Sequence, residues 1–114
     1  MKRPSFRVSA FQDKVYRAVS KIPRGRVSTY ALVARHIGCG SARAVGQALR
    51  RNPFAPRVPC HRVIASNLGI GGFNGHRTGR DIARKFSMLE EEGVRFAAGR
   101  LAERDRLYGF GETP

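Results

Sequence analysis

The chain has 114 residues, 22 of them Lys or Arg against 8 Asp or Glu, for a formal net charge of +14. That length fits one domain over 1–114, able to bury about 60–70% of its unfolded surface and so to form a core without disulfides or metal. No run of 18 apolar residues is present, which excludes a membrane-spanning helix. The first ten residues also lack the apolar core of a signal peptide, so a cytoplasmic or nucleoid location (nuclear in a eukaryote) and no membrane partner are the expectation.

Along the chain, Ser9-x-x-Gln12 reads as a capping box. Phe11, Val15, Ala18, Val19 and Ile22 then follow helical spacing, and Pro23-Arg24-Gly25 ends the element. Ser28 is placed to cap a short helix carrying Leu32, Val33 and Ile37, stopped by Gly38. After the turn Gly38-Cys39-Gly40, Ser41 caps a further helix to about Arg51, with Ala42, Val45, Ala48 and Leu49 on one face and Arg43, Gly46, Gln47 and Arg50 on the other. Helix, glycine turn and second helix with a basic face outline a helix-turn-helix over about 28–51. Gly46 in mid-helix costs about 1 kcal/mol relative to Ala. With Ala44 it would let the helix axis approach a partner backbone or a narrow groove, or else it packs against another helix of the domain.

Asn52-Pro53 breaks this helix, and residues 58–64 form a short apolar stretch interrupted by Pro59-Cys60-His61-Arg62. Five glycines between residues 67 and 80 read as a mobile loop or tight hairpin. A last helix over about 79–92 puts Ile82, Phe86 and Leu89 toward the core and stops at Gly93. The polar tail, 94–114, offers Val94, Phe96, Leu101 and Leu107 for packing.

The charge is unevenly spread. Residues 1–80 hold 16 cations and one acid, Asp13, and 18 of the 22 cations are Arg, whose planar fork suits phosphate. Such a field favours a polyanion, and nucleic acid before a membrane surface, because no helix pairs a basic face with a bulky aromatic one. A proteome that simply prefers Arg is the plainer alternative. Cys39 and Cys60 with the scattered His36, His61 and His76 match no zinc spacing, so no metal is expected and both thiols read as free. Cys39 reads as a small structural residue of the turn, and His36 and His76 as solvated or DNA-facing.

Cys60-His61 is the chemistry-bearing pair. Adjacent strand residues point to opposite faces, so His61 can act on the Cys60 sulfur only if the segment is a turn or helical start, which Pro59 favours. Imidazole and cations, Arg62 among them, favour a reactive thiolate; an inert buried cysteine beside a structural histidine fits the dipeptide as well. Glu90-Glu91-Glu92 sets acids at a helix C-terminus, against the macrodipole. Surface pairing with arginine explains two of them, and one turned inward could orient a base, as a carboxylate does in a triad.

Pro59-Cys60-His61-Arg62-Val63-Ile64 resembles the active-site motif of the O6-alkylguanine-DNA alkyltransferases. Val27-Ser28-Thr29-Tyr30, Ala42-Arg43-Ala44-Val45-Gly46 and Asn52-Pro53 upstream are similar, in order and spacing, to that family's helix-turn-helix and hinge. Gly72-Phe73-Asn74-Gly75 and Leu89-Glu90-Glu91-Glu92-Gly93 downstream are similar to its substrate loop and final helix. The resemblance covers about residues 6–96 and implies a mainly α, winged-helix-like helix-turn-helix domain with a short β hairpin or wing, an active-site segment at 58–64 and a substrate loop at 67–80.

The resemblance further implies a single-turnover methyltransferase without cofactor, a monomer on double-stranded DNA that reaches an O6-alkylguanine lesion through the minor groove. Cys60 would take the alkyl group irreversibly, His61 would act as base through a water, Glu92 would orient it, and Asn52 would brace the hinge. Tyr30 would rotate the nucleotide out and donate toward the purine, Arg43 would fill the vacated stack, and backbone groups of Cys60 and Val63 would read the guanine edge. Asn74 would sit near the O6 atom, with Phe73 where the family often has Tyr. Ala44, Gly46, Gln47, Arg50 and Arg62 would complete the DNA surface. The short length and the tail are closer to the small alkyltransferase-like proteins, which carry Trp or Ala in place of the cysteine, bind the lesion without removing the group and signal to excision-repair proteins. That is the alternative; Cys60 favours the transferase.

Overall fold

Ser9 caps the first helix as its spacing predicts: its side chain accepts from the Gln12 amide at 3.0 Å while the Gln12 side chain accepts from the Ser9 amide at 2.9 Å. In the computed structural model, which describes residues 8–73 and 79–111, this helix, α1, runs Ala10–Val19 and buries Val15, Tyr16, Ala18 and Val19. Ile22, just beyond it, is also buried.

The next element departs from expectation. Ser28 does not cap the second helix; it lies in a two-residue strand, β1 (Ser28–Thr29), and the cap is Thr29, whose hydroxyl accepts from the Leu32 amide at 3.1 Å. The physical reason is pairing: β1 runs parallel to β2 (Val63–Ile64), with Ser28 opposite Val63 and Thr29 opposite Ile64. That contact is 35 positions away in sequence, beyond the reach of local capping rules. Helix α2 (Tyr30–His36) follows, then a turn with Gly38 at φ 75°, then α3 (Ala42–Arg50), capped by Ser41 at the Ala44 amide. The three helices pack on one another, and the Tyr16 hydroxyl donates to the Ala48 carbonyl at 2.7 Å inside the core, joining α1 to α3.

The last helix, α4, spans Arg80–Glu91 with Glu92 as its C-cap. Ile82 and Leu89 are buried as expected, but Phe86 is 38% exposed, with its ring edge-on to Phe96 at 5.3 Å. The inward position between Ile82 and Leu89 belongs instead to Lys85, which is fully buried. The hairpin also lies later than the glycine-rich stretch suggests. Strands β3 (Phe96–Ala97) and β4 (Arg100–Leu101) pair antiparallel across Ala98 and Gly99, both at positive φ, the geometry of a tight hairpin turn matched to strand twist.

Two cores result. The larger lies among α1, α2, α3 and the Val58–Val63 region; the smaller joins Val27, Ile64, Leu89, Val94 and Leu101. The tail returns to this second core: Val27 donates to the Arg106 carbonyl at 2.9 Å and Tyr108 donates to the Val27 carbonyl at 2.6 Å. Among the described residues no helix is long and apolar enough to cross a membrane.

The reassigned cap makes a prediction. Thr29→Ala lowers stability by about 1 kcal/mol, while Ser28→Ala, which removes a hydroxyl without a hydrogen-bond partner among the described residues, costs less. Thermal unfolding of the two variants, followed by circular dichroism, checks the order.

Candidate active site

Pro59 and the strand β2 between them force the Cys60 segment into a single tight turn. Residues Cys60–Arg62 form a 3-10 turn, with the Arg62 amide bonded to the Pro59 carbonyl at 2.9 Å, and Val63 then enters β2. This is the helical start that an interaction between His61 and the Cys60 sulfur requires. Asn52, at the break after α3, spans the gap to this turn: its amide nitrogen donates to the Val58 carbonyl at 3.0 Å and its oxygen accepts from the Phe54 amide at 2.9 Å.

Glu92 is the one acid of its run that turns inward; Glu90 and Glu91 stay exposed. Its side chain is 7% exposed. The Oε2 atom meets His61 Nε2 at 2.9 Å, and Arg62 grips both oxygens, Nε on Oε1 at 2.9 Å and Nη2 on Oε2 at 3.0 Å. The third Arg62 nitrogen, Nη1, donates to the Ile22 carbonyl at 2.9 Å. Arg62 is therefore a clamp on Glu92 rather than a hand extended to a phosphate, a correction to the DNA-facing role expected of it. A fork with two of its nitrogens committed to a carboxylate has little left for solvent-side partners.

Charge states follow from these contacts. Burial alone would raise the Glu92 carboxyl, but hydrogen bonds from Arg62 and then His61 outweigh it and hold it at about 2. An ionised carboxylate only accepts, so His61 Nε2 carries the proton and Nδ1 is left as the basic nitrogen. Burial lowers the His61 imidazole, against the raising pull of Glu92, and a neutral base is the form poised to accept a proton. Cys60 is 8% exposed. Burial raises its thiol, with the Asn52 hydrogen bond and the Lys85 charge pulling down. The resting sulfur is thus a thiol awaiting a base. The surrounding cations do not make it a standing thiolate, because desolvation of the charged form is the larger effect.

Tyr30 opens α2 beside the glycine segment. Its hydroxyl donates to the Gly72 carbonyl at 3.3 Å, and burial, then the Cys60 charge, push it up to about 12, so it stays a donor. A cavity of about 490 Å3 is lined by Tyr30, Ala65, Asn67 and residues 69–72, within the usual range of small-molecule sites. Gly71 is needed there: at φ +73°, a Cβ would lie 3.2 Å from both the Tyr30 ring and the Ala65 nitrogen. Phe73 is buried beside it. Asn74 and His76 lie outside the described residues.

On α3, Arg43, Gln47 and Arg50 are exposed and Ala44 and Gly46 half-buried. His36 is not free for DNA: it stacks on Phe110 with centroids 4.3 Å apart, its Nε2 lying 3.3 Å from Lys21 Nζ. Cys39 and Cys60 are both free thiols. Among the described residues no group of three His, Cys, Asp or Glu side chains is placed to hold a metal ion.

Residues 10–94 match the family described as 6-O-methylguanine DNA methyltransferase, DNA binding domain. The chain belongs to that family. It is similar to the methylated-DNA–protein-cysteine methyltransferases of Saccharolobus islandicus (47% identity over 85 residues, 75% of this chain and 52% of that one) and Methanothermobacter thermautotrophicus (45% over 84 residues, 74% and 44%). The chain thus spans about half the length of the curated relatives it matches. Among solved structures, the Mycobacterium tuberculosis O6-methylguanine methyltransferase aligns with TM-score 0.66 at 42% identity over 81% of this chain and 53% of its own. An S. pombe ATL solved with DNA aligns with TM-score 0.72 at 37% identity, over 90% of this chain and 98% of its own. A second S. pombe structure, Atl1 with damaged DNA containing O6-carboxymethylguanine, aligns with TM-score 0.63 at 43% identity. These matches cover the helix-turn-helix fold that the family's domain shares.

One residue of this site is absent from the expected set. Lys85 Nζ donates to the carbonyls of Val63 (2.7 Å), Ile70 (2.6 Å) and Gly72 (2.9 Å). Its signal in the sequence is a basic residue three after Ile82 and four before Leu89, inside an apolar stripe, and such a residue reads as solvated unless its partners are known.

The clamp predicts an acid limb. Glu92, lowered when folded, contributes stability that is present above its unfolded value near pH 4 and is lost as pH falls toward about 2. His61, also lowered, adds a loss that begins below about pH 6.5. Acid unfolding followed by circular dichroism should show both limbs in the parent chain and lose the lower one in Glu92→Gln.

Proposed function

We propose that this domain removes the alkyl group from O6-alkylguanine in DNA by transferring it to Cys60. The observation that carries the reading is the Cys60 turn backed by His61, with His61 in turn fixed by a clamped Glu92. A buried thiol is a poor nucleophile until a base accepts its proton, and the only basic nitrogen the Glu92 contact leaves on His61 is Nδ1. As Sγ bonds to the alkyl carbon, the carbon–O6 bond breaks and its electron pair leaves with the purine. The thiol proton, taken by His61 through a water, ends on the released guanine, so no cofactor is consumed. The thioether has no leaving step, and each molecule reacts once.

A purine inside a duplex cannot reach a buried sulfur, so the base must leave the stack. The cavity beside Tyr30 has the size and donors for such a base, with the Tyr30 hydroxyl kept protonated. The carbonyls of Cys60 and Val63, each with a second lone pair beyond the bonds it already accepts, suit the amino edge of guanine. Arg43 at the exposed start of α3 is the residue to enter the vacated stack, and Asn74 is assigned to the O6 side on its sequence position. The exposed Gln47 and Arg50, with the small Ala44 and Gly46, form the surface for the minor groove, and binding weakens with salt. The chain acts as a monomer inside the cell.

A second reading has its own support: the S. pombe ATL solved with DNA is matched over 98% of its length. In that reading the domain binds alkylated guanine without transfer and recruits excision-repair proteins. Intact-protein mass spectrometry after incubation with O6-methylguanine duplex separates the two. Transfer adds one methyl group to the parent chain and none to Cys60→Ala; tight lesion binding with no mass change supports the binder.

Two variants test the DNA surface. Arg43→Ala weakens binding to lesion duplex more than to undamaged duplex in fluorescence anisotropy; equal loss on both makes Arg43 a phosphate contact. Gly46→Ala separates packing from docking. An added Cβ meets the Tyr30 ring at 3.9 Å, an ordinary contact, so thermal stability rises by about 0.5–1 kcal/mol while DNA affinity falls.

A further inference from the structure

We propose that Lys85 is the positioning residue of the purine pocket: one buried ammonium sets the spacing between the nucleophile's strand and the glycine wall, and through that spacing determines discrimination between alkylated and ordinary guanine. The proposal rests on the reading of the cavity as a site for an extruded alkylpurine.

The geometry is specific. Lys85 projects from the middle of α4 with no exposed surface, although Lys is among the residues least often fully buried. All three ammonium protons are used, on three main-chain carbonyls from two parts of the site. Val63 lies directly after the Cys60–Arg62 turn, while Ile70 and Gly72 belong to the segment that lines the cavity. The Gly72 carbonyl is shared, accepting from the Tyr30 hydroxyl as well, and the ammonium lies 5.9 Å from the Tyr30 ring centroid. One cation therefore ties together the strand that follows the sulfur, the cavity wall and the side chain that faces the extruded base.

The consequence is geometric and electrostatic together. Without the ammonium, three carbonyls would converge with nothing between them, a mutually repulsive arrangement, and the wall would open. With it, the Val63 carbonyl is held in place and its remaining lone pair is aimed at a fixed point. The charge also lowers the neighbouring thiol, in opposition to burial. A simple core filler would do neither: an apolar side chain of the same length occupies the same place on α4 but gathers no carbonyls.

The test uses the full chain. Lys85→Met keeps length and removes the donors. In the Cys60→Ala background, where no transfer occurs, anisotropy compares O6-methylguanine duplex with its undamaged counterpart. Lesion preference should fall about tenfold, the effect of losing hydrogen bonds from a charged group, while affinity for undamaged duplex changes less than about twofold, since the phosphate contacts that dominate it lie elsewhere. Preference retained in the double variant overturns the role of Lys85; no preference in Cys60→Ala itself overturns the underlying reading of the pocket. A second measurement does not depend on the folding of Lys85→Met. In Cys60→Ala labelled with 15N-lysine, the Lys85 ammonium resonance should shift on addition of the O6-methylguanine duplex and not of the undamaged one. Identical spectra with both duplexes overturn the proposal.

Discussion

The site depends on the Glu92 carboxylate held between Arg62 and His61. Removing a carboxylate from water is costly unless its lone pairs are taken up, and here a bidentate guanidinium and an imidazole take them. The bonds work in two directions. They keep Glu92 ionised, and an ionised Glu92 dictates which His61 nitrogen holds the proton. Arg62 extends the same grip to the Ile22 carbonyl beyond α1, so the end of α4, the end of α1 and the Cys60 turn are joined by one side chain. The setting of the His61–Glu92 pair and the tertiary structure are here a single set of hydrogen bonds.

Glu92 also resolves an apparent conflict in the helix it ends. Three acids at a helix C-terminus oppose the macrodipole, yet arginines answer it: Arg24 donates to the Glu91 carbonyl at 3.1 Å, and Arg62 neutralises Glu92. The local rule is broken at the position where the carboxylate meets His61, and distant cations supply the compensation.

Much of this was legible in the chain because it is local. The Ser9–Gln12 box, the glycine turn at 38–40, the Ser41 cap and the breaks at Asn52-Pro53 and Gly93 act within a few positions, and each helix falls within about three residues of its expected bounds. Simple rules about dipoles and side-chain alternation raise the inward turn of one glutamate as an alternative and tie a Cys60–His61 interaction to a non-strand conformation, while the choice of Glu92 comes from the resemblance. The failures are long-range. Thr29 replaces Ser28 as a cap because β1 pairs with a distant β2. Lys85 takes the inward place expected of Phe86 because three carbonyls from elsewhere in the chain await an ammonium. Arg62 turns inward, His36 finds Phe110, and the Cys60 thiol is governed by burial, none of which periodicity or composition can express.

The return of the tail to Val27 has a consequence for how the molecule tolerates change. Val27 is gripped from both neighbours' backbones, Arg106 and Tyr108, immediately before the short strand that aligns β2. Main-chain bonds ask nothing of side-chain identity. Substitution at the exposed positions of this last stretch, Arg104 and Asp105 among them, therefore leaves the stitch intact, and the outer face of the domain is uncoupled from the strand pair beneath it.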